Sequence, residues 1–523
     1  MSIPTGLGKT AGVILAWLWR RGFAVDEIRR ATPRRLVYCL PMRVLVEQTA
    51  RSAAAWLASL GLASNGGSEG VRISVLMGGD ANQDWDLFPE QDAILIGTQD
   101  MLLSRALNRG YAMSRFRWPV AFGLLNNDCL WVLDEVQLMG SGLSTSTQLE
   151  AFRNGMGTVF RAQSQWMSAT LHPDWLRSVD FEPSQDKAEE IGLGEHDLVH
   201  PDVKARMWAA KPISRARTDV TKDGKAEARE ILTAHKAGTL TLVIVNTVLR
   251  ARAIHAALQK AKGPAKTLLV HSRFRPPDKS HILENLLEAP GQSGTIAVTT
   301  QVVEAGVDLS AATLFTDLAP WPSMVQRFGR CNRRGEQPEA RIFWFGVPLK
   351  KPADALPYRE EELREAETLL TWLADAAPAN LPPVEGNSPR THVLRKKDIK
   401  DLFDTTPDLA GADLDVSRFI RETDDHDVSV FWRTWEGEKP GPDDPLPARD
   451  ELCPVPMNEL RKLLRDRKLS EAWRWDHLER QWVPARADSI YPGMMLLLPV
   501  GQGGYHPEKG WTGDRKDIPE PMP

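Results

Sequence analysis

Cysteine is scarce. Cys39, Cys129, Cys331 and Cys453 are scattered over 523 residues with no C-x-x-C pair among them, so neither a zinc ribbon nor a redox motif is written here, and reduced thiols in a cytosol are the simplest account. Long uncharged apolar runs are lacking too, which leaves no candidate transmembrane helix. No basic segment followed by an apolar one opens the chain, so a secretory signal is not expected and the expected location is cytoplasmic. Charge of one sign is also missing. The 65 Lys and Arg against 69 Asp and Glu leave a net charge of −4, which argues against a globally basic nucleic-acid coat and leaves room only for a local basic groove. Histidine numbers 11, few for a His-rich metal site, and no short internal repeat is visible.

What is present is a rhythm. Short β-rich apolar runs, Leu36 to Leu40, Val71 to Met77, Ala93 to Ile96 and Cys129 to Leu133, alternate with helical patterns at Ala11 to Arg20, Arg43 to Leu60 and Met101 to Arg109. This predicts a parallel sheet covered by helices. A polar, Pro- and Asp-bearing stretch, His172 to Lys225, reads as a domain boundary. The rhythm resumes with Leu240 to Val245, Lys266 to Val270, Thr295 to Thr299, Thr313 to Thr316 and Ile342 to Phe345. Beyond 350 come a helical run, Tyr358 to Ala376, a Pro-rich linker and a Trp-rich tail, with Gly437 to Ala448 as a further loop. The expected fold is α/β: a first domain over 1–205, a second over 206–350, a helical linker over 351–400 and a smaller mixed accessory domain over 401–523.

Three motifs carry chemistry. Pro4-Thr5-Gly6-Leu7-Gly8-Lys9-Thr10 reads as a phosphate-binding loop, in which small residues let backbone N–H groups curl around phosphate at a helix N-terminus. Lys9 would reach the β/γ-phosphates and Thr10 would ligate Mg²⁺. Alone the loop is equally a Gly-rich turn, because Ile3 stands where the general pattern has Gly, and only three residues precede it. Asp134-Glu135-Val136-Gln137 closes the fourth apolar run, where Asp134 could hold Mg²⁺ and Glu135 could polarise water; an acidic turn is the plainer alternative. In the second domain, Gln326 to Gly335 (QRFGRCNRRG) holds four arginines within eight residues, placed as arginine fingers on a closing domain would be. Their order along one chain favours a nucleotide held between two domains.

These residues resemble superfamily 2 helicases, with PTGLGKT, DEVQ, SAT (Ser168 to Thr170) and QRFGRCNRR as successive motifs. Adding LPMRVLVEQT (Leu40 to Thr49), GTQDMLLSRALNRG (Gly97 to Gly110), HSRFRP (His271 to Pro276) and TTQVVEAGVDLS (Thr299 to Ser310), the chain resembles the helicase-nuclease of type I CRISPR systems. FGLLNNDCLWVLDEVQLMG points to the subtype I-G branch, formerly I-U. The resemblance implies two tandem RecA-like domains and an ATP-dependent DNA helicase or translocase with 3′ to 5′ polarity. By the same resemblance it would act with a guide-RNA surveillance complex in antiviral defence. Thr5, Gly6, Leu7, Gly8, Lys9 and Thr10 would bind ATP, with Mg²⁺ on Thr10 and Asp134 and with Asp308 near the ribose. Glu135, Gln326, Arg330 and Arg333 would serve hydrolysis, and Gln137, Ser168 and Thr170 its coupling.

Single-stranded DNA would run over Pro41 to Arg43, Thr98, Gln99, Thr247, His271 to Arg273 and Thr300, where backbone amides, hydroxyls and arginines grip phosphates without reading bases. For His271 alone an ordinary satisfied side chain is the plainer reading. The family also carries an HD-type nuclease. His196-Asp197 and His426-Asp427 lack the His-rich helical context such a site needs, so no nuclease is expected in this chain. The tryptophans are read as core rather than as a stacking platform. The loop so near Met1 implies a missing upstream strand, a stub in the first sheet and weakened ATP binding. Alternatives are a general superfamily 2 RNA helicase, or a catalytically weak fragment acting as a binding module.

Overall fold

The computed structural model describes the chain except for residues 65–69, 78–83, 112, 185–188, 305, 384–391, 405–413, 422–426, 438, 442–445, 477–478, 492 and 521–523. It divides into two compact units, one of residues 1–207 with 382–423 and one of residues 208–381 with 424–523.

Unit 1 is built on five parallel strands, β1 (Arg35–Leu40), β2 (Val71–Leu76), β3 (Asp92–Thr98), β4 (Cys129–Asp134) and β5 (Ala162–Met167), in the order β2-β3-β1-β4-β5. All six residues of β1 are buried, as expected of a central strand covered on both faces. Helix Lys9–Gly22 packs Val13, Ile14, Trp17 and Leu18 on one side of it, and the Trp17 indole N–H donates to the Pro33 carbonyl at 2.9 Å, so this large ring is buried without an orphaned donor. Beyond β5, Ser2 pairs in parallel with Ser168 by a single bridge, while Ile3 N–H donates to the Ser168 carbonyl at 3.2 Å.

Unit 2 holds a six-stranded parallel sheet of β6 (Ile213–Arg215), β7 (Leu240–Ile244), β8 (Lys266–Val270), β9 (Thr295–Thr299), β10 (Thr313–Asp317) and β11 (Arg341–Phe345), in the order β6-β11-β10-β7-β9-β8. The same unit carries a mixed sheet, β12 (Asp427–Arg433), β13 (Cys453–Pro456), β14 (Trp473–Asp476), β15 (Gln481–Pro484) and β16 (Met495–Pro499), and a small hairpin of β17 (Tyr505–His506) and β18 (Gly510–Trp511). Trp432, Trp473, Trp482 and Trp511 are all buried and line two apolar clusters of this region, so these rings serve packing. The parallel sheets are RecA-like, and with the mixed C-terminal sheet they give the α/β class expected.

The segment following residue 381 differs from the expected linker. Residues 382–423 return to unit 1, because the carbonyls of Leu394, Phe419 and Ile420 accept from Gln148, Thr145 and Gln99 side chains on helices Ser141–Met156 and Gln99–Ala106, while Leu394, Phe419 and Ile420 are themselves buried. Helix Glu360–Trp372 stays in unit 2, burying Leu363, Ala366 and Leu370.

The C-terminal hairpin seats against the HSRFRP segment. Trp511 N–H donates to the Arg273 carbonyl at 2.9 Å, and Arg275 N–H donates to the Tyr505 hydroxyl at 3.0 Å. Gly510 sits at φ +68°, where an added Cβ would lie 2.2 Å from the Arg273 oxygen. Gly510→Ala is therefore expected to lower unfolding stability by about 1–3 kcal/mol, from left-handed strain plus displacement of the hairpin. Urea titration checks this, and an unchanged midpoint would contradict the seating described.

Candidate active site

The PTGLGKT loop turns through Gly6 and Gly8, both at positive φ (86° and 80°), and Gly8 caps helix Lys9–Gly22. Its backbone thus opens toward a helix N-terminus, where unsatisfied N–H groups and the dipole favour an anion. The Gly6 carbonyl is tied down by the Arg206 guanidinium, a contact that the sequence reading missed because Arg206 lies 200 residues away in the polar boundary stretch. Lys9 is buried, and its Nζ has no hydrogen-bond partner. A desolvated, unpaired ammonium is costly unless a ligand completes it. Thr5, Leu7 and Thr10 are partly exposed around it.

Asp134 ends β4 and is buried. Its Oδ2 accepts from the Tyr38 hydroxyl at 2.8 Å and from Thr10 Oγ1 at 3.5 Å, and its Oδ1 accepts from Glu135 N–H at 2.9 Å. Burial, reinforced by the Glu135 charge, pushes the Asp134 carboxyl up to about 6, against the opposing pull of Lys9 and the Tyr38 hydrogen bond. Such a group ionises more readily once a cation sits beside it. Tyr38, inside the LVYCL run, was not singled out; the available signal was a phenol in a strand buried on both faces, which must find a partner.

Glu135 adopts φ +53°, rare for a side chain of this kind and associated with functional strain. Gln137 Nε2 donates to Glu135 Oε2 at 2.6 Å, and its Oε1 accepts from Ser168 Oγ at 2.7 Å. Ser168 Oγ in turn accepts from Thr170 N–H at 3.0 Å. The three residues expected to couple hydrolysis therefore form one polar chain starting at Glu135. Gln137→Ala is expected to lower the ATP turnover number about tenfold with little change in KM, since it frees Glu135 without touching the loop; steady-state kinetics would show the split.

In unit 2 the QRFGRCNRRG residues are more engaged than the sequence suggests. Gln326 is buried. Arg330, expected at the γ-phosphate, instead donates Nη1 to the Val307 carbonyl at 2.8 Å and Nη2 to the Glu304 carbonyl at 2.6 Å, stapling the turn between them. Arg333 pairs with Asp308 at 3.1 Å, and Arg334 pairs with the same carboxylate at 2.7 Å. Burial alone would raise the Asp308 carboxyl, but the Arg334 hydrogen bond and the Arg333 charge hold it below the usual range. Arg327, not assigned a role from sequence, lies at the centre of a buried polar network.

The expected polymer-track residues fall at strand ends in both units. Arg43 is exposed. Thr98 and Thr300 are buried, and Thr247 caps helix Val248–Ala261 by accepting from Arg250 N–H at 3.3 Å. Gln99, expected to face DNA, is instead buried and donates to the Ile420 carbonyl at 3.2 Å. Arg273 Nη1 pairs with Glu459 at 3.2 Å. His271 is buried, with Nδ1 accepting from Arg273 N–H at 3.2 Å and Nε2 against the Lys509 carbonyl at 3.1 Å; burial first, then the Arg252 charge, press it down to about 3. It is a satisfied neutral side chain. His196 and Asp197 are exposed, and Asp197 accepts from Gly194 N–H at 2.8 Å. His426 lies outside the described residues. Among the described residues no group of three or more His, Cys, Asp or Glu is placed to hold a metal ion, and no helix is long and apolar enough to cross a membrane.

Comparison with known proteins agrees with this geometry. Residues 1–179 match the DEAD/DEAH box helicase family, and residues 237–336 match the C-terminal part of the CRISPR-associated nuclease/helicase Cas3 family. CRISPR-associated helicase Cas3 of Thermoproteus tenax is 36% identical over 159 residues, which are 28% of this chain and 26% of that protein. T. fusca Cas3 in its ADP form superposes with TM-score 0.61 at 16% identity, covering 98% of this chain and 66% of that one. A chain of a CRISPR RNA-guided surveillance complex in a pre-nicking state superposes at 0.54 and 16% identity, with coverage of 95% and 64%. The chain thus spans about a quarter of its curated relative and just under two thirds of these solved chains. Residues 1–179 are thus similar to DEAD/DEAH box helicases, and residues 237–336 to the C-terminal part of the CRISPR-associated nuclease/helicase Cas3 family.

Proposed function

We propose that this chain is an ATP-dependent helicase or translocase that moves on single-stranded DNA, 3′ to 5′, in type I CRISPR interference. The observation that carries the reading is the buried, partnerless Lys9 ammonium beside a glycine loop at a helix N-terminus, with the Asp134–Glu135 pair on the adjoining strand end. An orphaned cation, free backbone donors and a carboxylate already touching Thr10 fit a nucleotide phosphate with Mg²⁺. In this reading Lys9 binds the β/γ-phosphates, Thr10 and Asp134 hold Mg²⁺, and Thr5 to Gly8 wrap the phosphates. Glu135, oriented by Gln137 and strained at its backbone, polarises the attacking water. Bound Mg²⁺ would supply charge neutralisation to the transferring phosphoryl group.

In unit 2, Gln326 and Arg333 serve the γ-phosphate, Asp308 sets the Arg333 position, and Arg330 shapes the loop that presents them. Arg43, Thr98, Thr247, Arg273 and Thr300 grip the DNA backbone. The relatives' names, CRISPR-associated and mostly joined to nuclease activity, and the surveillance-complex neighbour support a guide-RNA complex and a nuclease as partners of the motor; the HD type of that nuclease and the subtype I-G setting rest on the sequence resemblance alone.

The test is ATP hydrolysis by the whole chain, with Mg²⁺, in the presence of oligo-dT, oligo-U or neither. Stimulation by oligo-dT above oligo-U supports the reading. The reverse order would assign the chain to RNA, and no stimulation by either would overturn the motor reading.

A further inference from the structure

Residues 392–404 and 414–421 of the returning segment are held to unit 1 by buried apolar side chains, among them Leu394, Leu402 and Phe419, and by hydrogen bonds to their backbone carbonyls. Leu394 accepts from Gln148 Nε2 at 2.7 Å, Leu402 from Asn108 Nδ2 at 3.0 Å and Arg109 Nη1 at 2.8 Å, and Ile420 from Gln99 Nε2 at 3.2 Å. Such contacts ask little of the segment's own side chains. Arg421 is different. Its Nε and Nη2 clasp the two oxygens of Asp100 at 2.6 and 2.7 Å, and Nη2 also donates to the Pro41 carbonyl at 3.2 Å.

Pro41 follows the end of β1, and Asp100 lies two residues past the end of β3. These strands are adjacent in the sheet, with Leu40 opposite Thr98. One planar guanidinium therefore ties the short turn after β1 to the first turn of helix Gln99–Ala106, which follows β3 directly, and Arg43 and Thr98, assigned above to the DNA backbone, lie beside these two points. A fork of this shape fixes distance and angle at once, which an ammonium cannot do.

We infer that Arg421 is a positioning residue for the DNA grip of unit 1: through Asp100 and Pro41 it sets the separation of the turn after β1 and the start of helix Gln99–Ala106, the two segments that would hold successive phosphates. Residues 394–404 and 414–421 are then a working part of the first motor unit. Phosphates spaced along a strand demand that the two segments keep register, and small displacements at such a grip are costly. The inference rests on the DNA reading of the preceding subsection.

Charge and geometry make opposite predictions at Asp100. If only electrostatics mattered, Asp100→Asn would remove a negative charge beside phosphates and tighten binding. If Arg421 positions the two segments, Asp100→Asn loosens the fork and weakens binding about tenfold, and Arg421→Lys, which keeps the charge but not the fork, does the same. Fluorescence anisotropy of labelled dT30 with the full chain reads these affinities, with ADP affinity measured on the same samples. The expected result is about tenfold weaker dT30 binding in both variants and ADP affinity within about twofold of the parent. Parent-like or tighter dT30 binding by Asp100→Asn, or parent-like binding by Arg421→Lys, overturns the inference. So does a parallel loss of ADP affinity, which would mark general loosening of unit 1. A parent chain that binds ADP but not dT30 overturns the DNA reading itself, and this inference with it.

Discussion

Lys9→Ala is expected to reduce DNA-stimulated ATP hydrolysis by about 10²- to 10³-fold, the usual consequence of removing one preorganised charge from a phosphoryl-transfer site. The same substitution is expected to leave stability unchanged or to raise it, because the buried Nζ makes no hydrogen bond in the folded chain and its attraction to Asp134 is to a carboxyl that burial already holds partly protonated. An unpaired buried polar group costs on the order of 1–3 kcal/mol. Loss of function with retained or increased Tm distinguishes a ligand-binding lysine from a structural one, which would lose both. Lys9→Arg sharpens the comparison, since the charge persists but the planar head cannot occupy the same point between phosphates. A parent rate equal to that of Lys9→Ala would mean that no productive phosphate loop exists here. Thermal melts with and without ADP complete the test: the parent should gain Tm with nucleotide by mass action, and Lys9→Ala should gain much less.

Much of the sheet skeleton was legible because parallel strands buried on both faces are nearly continuous apolar runs. Lys266–Val270 and Thr295–Thr299 appear as read, and the other runs lie within one residue at either end, except that β3 runs two residues past Ile96, to Thr98. β5 escaped because Ala162–Met167 reads AQSQWM, polar in its middle, with Ser164 hydrogen-bonded to Glu150 at 2.8 Å rather than packed on apolar surface. β6 escaped because three residues make no pattern. The return of 382–423 to unit 1 was not legible: its backbone carbonyls leave no trace in residue type, and its buried apolar residues, such as Leu394, Leu402, Phe419 and Ile420, do not say which unit they pack on. At the site, the local motifs were readable because loop geometry and strand ends are local properties. Tyr38, Arg206 and Arg421 were not, since each acts through a partner far away in sequence. The carbonyl contacts of Arg330 were not legible for the related reason that an arginine-rich turn can bind phosphate or its own backbone, and residue identity does not say which.

Arg327 shows what the second choice entails, and Arg327→Met is the substitution expected to damage stability most. The side chain is fully buried. Its Nε donates to Glu304 Oε1 at 2.7 Å, its Nη1 to Thr316 Oγ1 and the Asp317 carbonyl, each at 2.9 Å, and its Nη2 to Asn246 Oδ1 at 3.0 Å and the Tyr358 hydroxyl at 3.3 Å. Gln301 also donates to that hydroxyl, at 3.1 Å. The one guanidinium thus joins the end of β7, the end of β10, the TTQVVEAGVDLS segment and Tyr358, so removing it orphans several buried acceptors at once. Breaking one partner of a buried ion pair costs about 3–5 kcal/mol. Glu304 is the group left exposed to that penalty: burial already holds its carboxyl above the ordinary value of 4.5, with Arg327 opposing the shift. Without Arg327, Glu304 keeps its proton in the folded state to still higher pH. The folded chain then binds more protons than the unfolded one, so the variant is least impaired below the ordinary glutamate value and loses further stability as pH rises through neutrality. Urea unfolding of parent and variant at pH 5 and pH 8 should show a larger gap at pH 8. Arg327→Met with Glu304→Leu should recover part of the loss and abolish the added pH dependence, because the stranded carboxyl is gone. A pH-independent deficit that the second substitution does not relieve would mean that Arg327 contributes packing alone.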